Sequence, residues 1–128
     1  MTRVVAYVQM RRAQIAPTGV GKHIIHMVRG LSGLPEFDVM MAGSRTDLAP
    51  DGTIRGDSPL AGLRVASLPW SSPAMERWWR VTRWPAIERW TGDADWVYSP
   101  SEAYVPTSRA KLAVTVHDLH AFERDLPW

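Results

Sequence analysis

Two short segments of this chain carry side chains that can move a proton or hold a phosphate. His117-Asp118 directly follows the apolar run Leu112–Val116. An imidazole at a strand end can donate a hydrogen bond or shift a proton near neutral pH. His117 and Asp118 are therefore the candidate catalytic pair, against the plainer reading of a His that only bonds the loop backbone. His120 extends the pair to His-x-x-His, but two His and one Asp in a loop fall short of a supported ligand set, so no metal is expected. The second segment is Gly19-Val20-Gly21-Lys22. Glycines let a backbone approach phosphate closely, and a helix start offers unpaired N–H groups. It departs from a P-loop, which would need Gly at position 16 and Ser or Thr at 23 where the chain has Ala16 and His23. It also lacks the third glycine of the dinucleotide pattern, and the plainer reading is a tight turn that starts a helix. Ser99, Ser101 and Glu102 form a third polar group after another apolar run. No Gly-x-Ser-x-Gly elbow is present, so hydrolase chemistry has no nucleophile signal.

These groups need strands and helices to bring them together. Val4–Val8 is apolar and rich in β-branched residues, which predicts a strand buried on both faces. Val20, Ile24, Met27, Val28 and Leu31 recur at spacings of three and four, predicting a helix that weakens at Gly30 and Gly33 and closes at Pro35. Phe37–Ala42 and Leu63–Leu68 read as strands. Between them Gly43–Gly62 is rich in Gly, Pro, Asp, Ser and Thr and reads as a long mobile loop. Pro73–Val81 and a shorter piece ending at Trp90 read as helical, and Asp95–Ser99 and Leu112–Val116 as the last strands. Such alternation predicts an α/β fold, a Rossmann-like doubly wound parallel sheet in the order 3-2-1-4-5. Ligands of such sheets sit beyond the carboxyl ends of the strands where the order reverses. That rule draws Gly19–Gly21, Ser99–Glu102 and His117-Asp118 to one crevice.

A chain of 128 residues fits one domain. With 45% hydrophobic residues it can bury a core. The net charge is +2, too small to suggest nucleic acid, yet all basic residues except Lys22 and Lys111 are Arg, which suits carboxylate and phosphate partners. There is no cysteine, so neither disulfides nor thiolate zinc sites arise. The first apolar run is too short for a signal peptide, and no stretch has the apolar length of a membrane span. A cytoplasmic protein is the expectation. Trp78, Trp79 and Arg80 qualify it. Met75, Trp78, Trp79 and Thr82 share one helical face, with Arg77, Arg80 and Arg83 turned away. The favoured reading packs that face on the sheet; the other makes it a peripheral contact with anionic lipid.

Three segments resemble glycosyltransferase family 4. Pro17-Thr18-Gly19-Val20-Gly21-Lys22-His23-Ile24-Ile25 is similar to its glycine-rich loop and first helix, and Asp95-Trp96-Val97-Tyr98-Ser99-Pro100 looks like its fourth strand. Ala113-Val114-Thr115-Val116-His117-Asp118-Leu119 resembles its Val-Val-Thr-Ile-His-Asp-Leu strand and turn. The resemblance implies a GT-B fold of two Rossmann-like domains, with residues 1–128 as the acceptor-side half, incomplete at its carboxyl end, and the donor-binding half absent. By the same resemblance Gly19, Val20 and Gly21 would approach the donor diphosphate, His117 and Asp118 would lie near the transferred sugar, and Ser99, Ser101 and Glu102 would face the acceptor. The implied activity is retaining transfer of a sugar from a nucleotide-sugar to a glycan or lipid-linked acceptor, as in polysaccharide biosynthesis. It needs no metal or cofactor, the nucleotide-sugar being the donor substrate. Without the second half the 128 residues are expected to be inactive. A non-catalytic α/β binding or association module is the alternative. The fifth strand would lie at the sheet edge, which predicts a homodimer through it.

Overall fold

The structure, a computed structural model, describes residues 1–10, 19–56, 58–100 and 103–115. Five strands form one sheet: β1 (Thr2–Tyr7), β2 (Phe37–Ser44), β3 (Val65–Leu68), β4 (Trp96–Ser99) and β5 (Lys111–Val114). Helices α1 (Gly19–Ser32), α2 (Ser72–Thr82) and α3 (Glu88–Thr91) cover its faces. All pairings are parallel and the order is β3-β2-β1-β4-β5. This is the doubly wound Rossmann-like arrangement that the alternation predicts.

β1 is the central strand, and its side chains divide the core. Ala6 and Val8 pack with Ile24 and Val28 of α1 on one face. Val5 and Tyr7 pack with Met75 and Trp79 of α2 on the other. A strand covered on both faces has no polar alternation, which is why its sequence is a continuous apolar run. β1 begins earlier than Val4 because neighbouring chain pairs with its first residues. The Thr2 N–H donates to the Glu36 carbonyl at 2.9 Å, and the Arg3 N–H donates to Asp95 Oδ2 at 2.8 Å.

The segment Gly43–Gly62 differs from the mobile loop its composition predicts. Gly43 and Ser44 complete β2, a 3-10 turn follows at Arg45–Asp47, and Leu48, Ile54 and Leu60 are buried in the α1-side core. Arg29 of α1 donates to the carbonyls of Pro59 and Ala61 at 2.8 and 2.9 Å. Three apolar anchors spaced among turn residues are too few for a periodic signal, yet they hold the loop against α1. The turn at Gly62, with φ +88°, delays β3 to Val65 rather than Leu63.

α2 starts with the Ser71 hydroxyl accepting from the Ala74 N–H at 3.4 Å and ends at Arg83, whose φ of 55° is left-handed. Its buried residues are Ser72, Met75 and Trp79. The face predicted from the sequence therefore rotates. Trp79 is fully buried, with its indole N–H on the Pro85 carbonyl at 3.0 Å and its ring edge-on to Tyr7 at 5.5 Å. Trp78 and Thr82 are exposed.

α3 anchors the approach to β5. The Glu88 carboxylate accepts the backbone N–H groups of Ser108, Arg109 and Ala110 at 2.7–3.2 Å. Burial raises its pKa, but those bonds, that from Arg109 foremost, outweigh burial and hold it below the ordinary value of 4.5.

Candidate functional site

The first turn of α1 lies beyond the carboxyl end of β1. Gly19 opens α1, and among the described residues a Cβ built on it meets no atom beyond its own helical turn within 4 Å. Its φ falls outside the left-handed range, so the chain does not require glycine there for backbone reasons. The open space beside it suits close approach by a ligand. Gly21 is buried in the same turn, and the Val20 backbone runs between them.

One turn further, α1 places His23 over the end of β4. The Tyr98 hydroxyl stands 3.5 Å from His23 Nε2 and 2.7 Å from Thr115 Oγ1. Thr115 immediately follows β5, and its N–H donates to the Ser99 carbonyl at 2.9 Å. Alternation along β4 makes this possible: Val97 faces the α2 side, so Tyr98 faces α1. A helix, a central strand and the end of β5 thus meet through three titratable or hydroxyl side chains at one edge.

The α2 side of the same edge holds a second polar group. Glu76 accepts from the Tyr7 hydroxyl at 2.9 Å and from Gln9 Nε2 at 2.7 and 2.8 Å. Gln9 lies just beyond β1 and is almost wholly buried. On the opposite side Met10 packs so close to Gly43 that a Cβ there would come within 3.1 Å of Met10 Cγ. The chain leaving β1 toward residue 11 is therefore gripped on both faces. Among the described residues, Gln9 Oε1, Ser72 Oγ and Ser99 Oγ are buried without a hydrogen-bond partner.

The predicted site residues fare differently. Gly19, Val20 and Gly21 stand at the carboxyl edge. Ser99 ends β4 there, but it is fully buried on the α2 side and is not presented to the surface. His117, Asp118, Ser101 and Glu102 lie outside the described residues. His23, Tyr98, Thr115, Gln9 and Glu76 were not singled out as site residues by the sequence. His23 lies three residues before His26 on α1, and only the crossover of α1 brings it to Tyr98. The 75 residues separating that pair leave no local signal.

A depression of about 700 Å³ between Met1, Asp93, Trp96, Arg109 and Lys111 lies at the amino ends of the strands. Doubly wound sheets place their ligands at the other end. Among the described residues no three His, Asp or Glu side chains come together as a metal site, and no helix is long and apolar enough to cross a membrane. The chain matches no protein-family model, no curated protein and no solved structure.

Proposed function

We propose that this chain is the acceptor-side Rossmann-like domain of a GT-B glycosyltransferase that moves a sugar from a nucleotide-sugar to a glycan or lipid-linked acceptor. The observation that carries the reading is the meeting of three segments at one edge. The start of α1, the end of β4 and the end of β5 are the segments whose residues resemble glycosyltransferase family 4. They are joined there by His23, Tyr98 and Thr115. In this reading the turn Gly19–Gly21 at the amino end of α1 meets the donor diphosphate, with open space beside Gly19 among the described residues and the positive end of the helix dipole behind it. By the family resemblance His117 and Asp118, which follow Thr115 and Val116 in the sequence, would act near the transferred sugar. Glu76 holds Tyr7 and Gln9 at the carboxyl end of β1.

Catalysis by differential binding needs both halves of a two-domain cleft. The 128 residues alone are therefore expected to leave nucleotide-sugars intact. The test is transfer by these residues joined to a GT-B donor-binding domain, with labelled nucleotide-sugars and lipid-linked or oligosaccharide acceptors. His117→Ala should cut turnover far more than thermal stability. Turnover by the 128 residues alone would overturn the two-domain requirement. Full activity in both His117→Ala and Gly19→Val would overturn the site.

A further inference from the structure

The outer flank of α2 is not explained by the site. Ala74, Arg77, Trp78 and Val81, at positions i, i+3, i+4 and i+7, line the side of α2 away from the buried Met75 and Trp79. Trp78 is 41% exposed, Val81 78%, Trp84 62% and Trp70 47%, so three indoles and a valine face outward from a stretch of 15 residues. Trp70 and Trp78 stack edge to face at 5.8 Å, which makes a continuous surface of them. Large apolar side chains gathered on one exposed face mark an interaction surface.

The exposed charges within residues 70–84 have one sign. Arg77, Arg80 and Arg83 are all exposed. The one acidic residue between Trp70 and Trp84 is Glu76, and its carboxylate is turned inward to Tyr7 and Gln9. Arg83 adds an independent mark. It occupies the left-handed position at the end of α2, where glycine is the favoured residue and a Cβ is penalised. The next residue is fixed by Thr82, whose hydroxyl donates to the Trp84 carbonyl at 2.8 Å. The chain thus keeps a guanidinium where its backbone would prefer none, next to the exposed Trp84.

We infer that the α2 flank formed by Trp70, Trp78, Val81 and Trp84 with Arg77, Arg80 and Arg83 docks on an anionic phospholipid surface. Indoles settle at the boundary between headgroups and acyl chains, and arginines beside them meet lipid phosphates. The single sign of charge favours that surface over a second copy of the chain, whose own α2 flank would bring arginines against arginines. Trp79, which the sequence also offered as a contact, belongs to the core. The surface stands independently of the glycosyltransferase reading.

The experiment is co-sedimentation of the full chain with phosphatidylcholine vesicles, with or without about 30 mol% phosphatidylglycerol, over a range of salt. Binding is expected with phosphatidylglycerol, weaker at high salt, and weak or absent with phosphatidylcholine alone. Arg77→Gln combined with Arg80→Gln should weaken it about thirtyfold. Arg83→Gly should weaken it about fivefold, while thermal stability stays level or rises because the left-handed strain is relieved. Arg55→Gln, on the α1 side of the sheet, should bind like the parent. No binding to the anionic vesicles would overturn the inference. So would parental binding by both Arg77→Gln/Arg80→Gln and Arg83→Gly, or equal loss in Arg55→Gln, which would indicate general charge attraction. Concentration-dependent dimerisation abolished by Trp78→Ala, with vesicle binding unchanged, would assign the flank to a second copy instead.

Discussion

Glu88 has the clearest electrostatic role of any described residue. Three backbone N–H groups converge on its carboxylate and fix the loop that delivers β5. Hydrogen bonds to a charged group contribute about 1.5–3 kcal/mol, so Glu88→Gln should cost roughly 1–3 kcal/mol at neutral pH. The sign with pH follows from the lowered pKa. A carboxyl depressed in the folded state stabilises above its unfolded pKa and loses that contribution as pH falls through its folded value. Denaturant unfolding at pH 7 and near pH 3 should therefore show the gap between parent and Glu88→Gln shrinking in acid; a constant gap would mean the carboxylate charge is not involved. At Gly19 the expectation is the reverse, an effect on function without one on stability. Among the described residues no atom beyond its own turn lies near a Cβ there and the φ is unstrained, so Gly19→Val should melt within a few degrees of the parent. Any large loss of ligand binding or transfer then reports a blocked approach. A strongly lowered melting temperature would show that residue 19 supports the fold.

At the scale of elements, α2 is divided by its own periodicity. Trp79 fills the core between Tyr7 and Trp90, whereas its neighbour Trp78 points outward. Trp79→Ala should destabilise by about 3–5 kcal/mol, as large-to-small changes in a closed core do. Trp78→Ala should change stability by less than about 1 kcal/mol, as surface substitutions do. Equal losses in chemical denaturation would contradict the burial difference. β5 is the other element with a consequence. It pairs with β4 alone among the described strands, and Val114 is exposed. An apolar edge strand is a template for pairing, so we expect sedimentation to show a dimer that Val114→Lys shifts toward monomer. A parent that remains monomeric at high concentration would show that the edge is covered.

For the whole molecule, the strand order brings distant chemistry to one place. A parallel sheet with crossovers on both faces directs every strand end to the same edge, so residues 23, 98 and 115 meet without being close in sequence. The same geometry gives each side of that edge its own polar group, Tyr98 with His23 on one side and Gln9 with Glu76 on the other. The two groups make different predictions for the proposed transferase. His23→Ala should impair transfer with modest effect on folding, because His23 is half exposed. Glu76→Ala should lower stability first, because it strips partners from Tyr7 and the buried Gln9. Thermal melts and transfer rates measured on both variants separate the roles. The opposite ranking would exchange them.

Order, type and handedness of the elements are written locally. The apolar run of β1, the three-four spacing of α1 and the closing glycines and prolines suffice, because backbone hydrogen bonding and side-chain periodicity act over a few residues. The carboxyl edge as the candidate site, and Gly19 to Gly21 as a proposed part of it, follow from that order with no side-chain detail. Tertiary packing settled what periodicity leaves open. It chose Trp79 over Trp78 for the core, because a helix face is fixed only when a sheet is placed against it. It buried Leu48, Ile54 and Leu60 of the loop after β2 in the α1-side core, where their burial depends on α1 rather than on their neighbours in the chain. It buried Ser99 and raised His23, Tyr98 and Thr115 into its place, since the side of the sheet a strand residue faces becomes a chemical fact only when both helical layers are present.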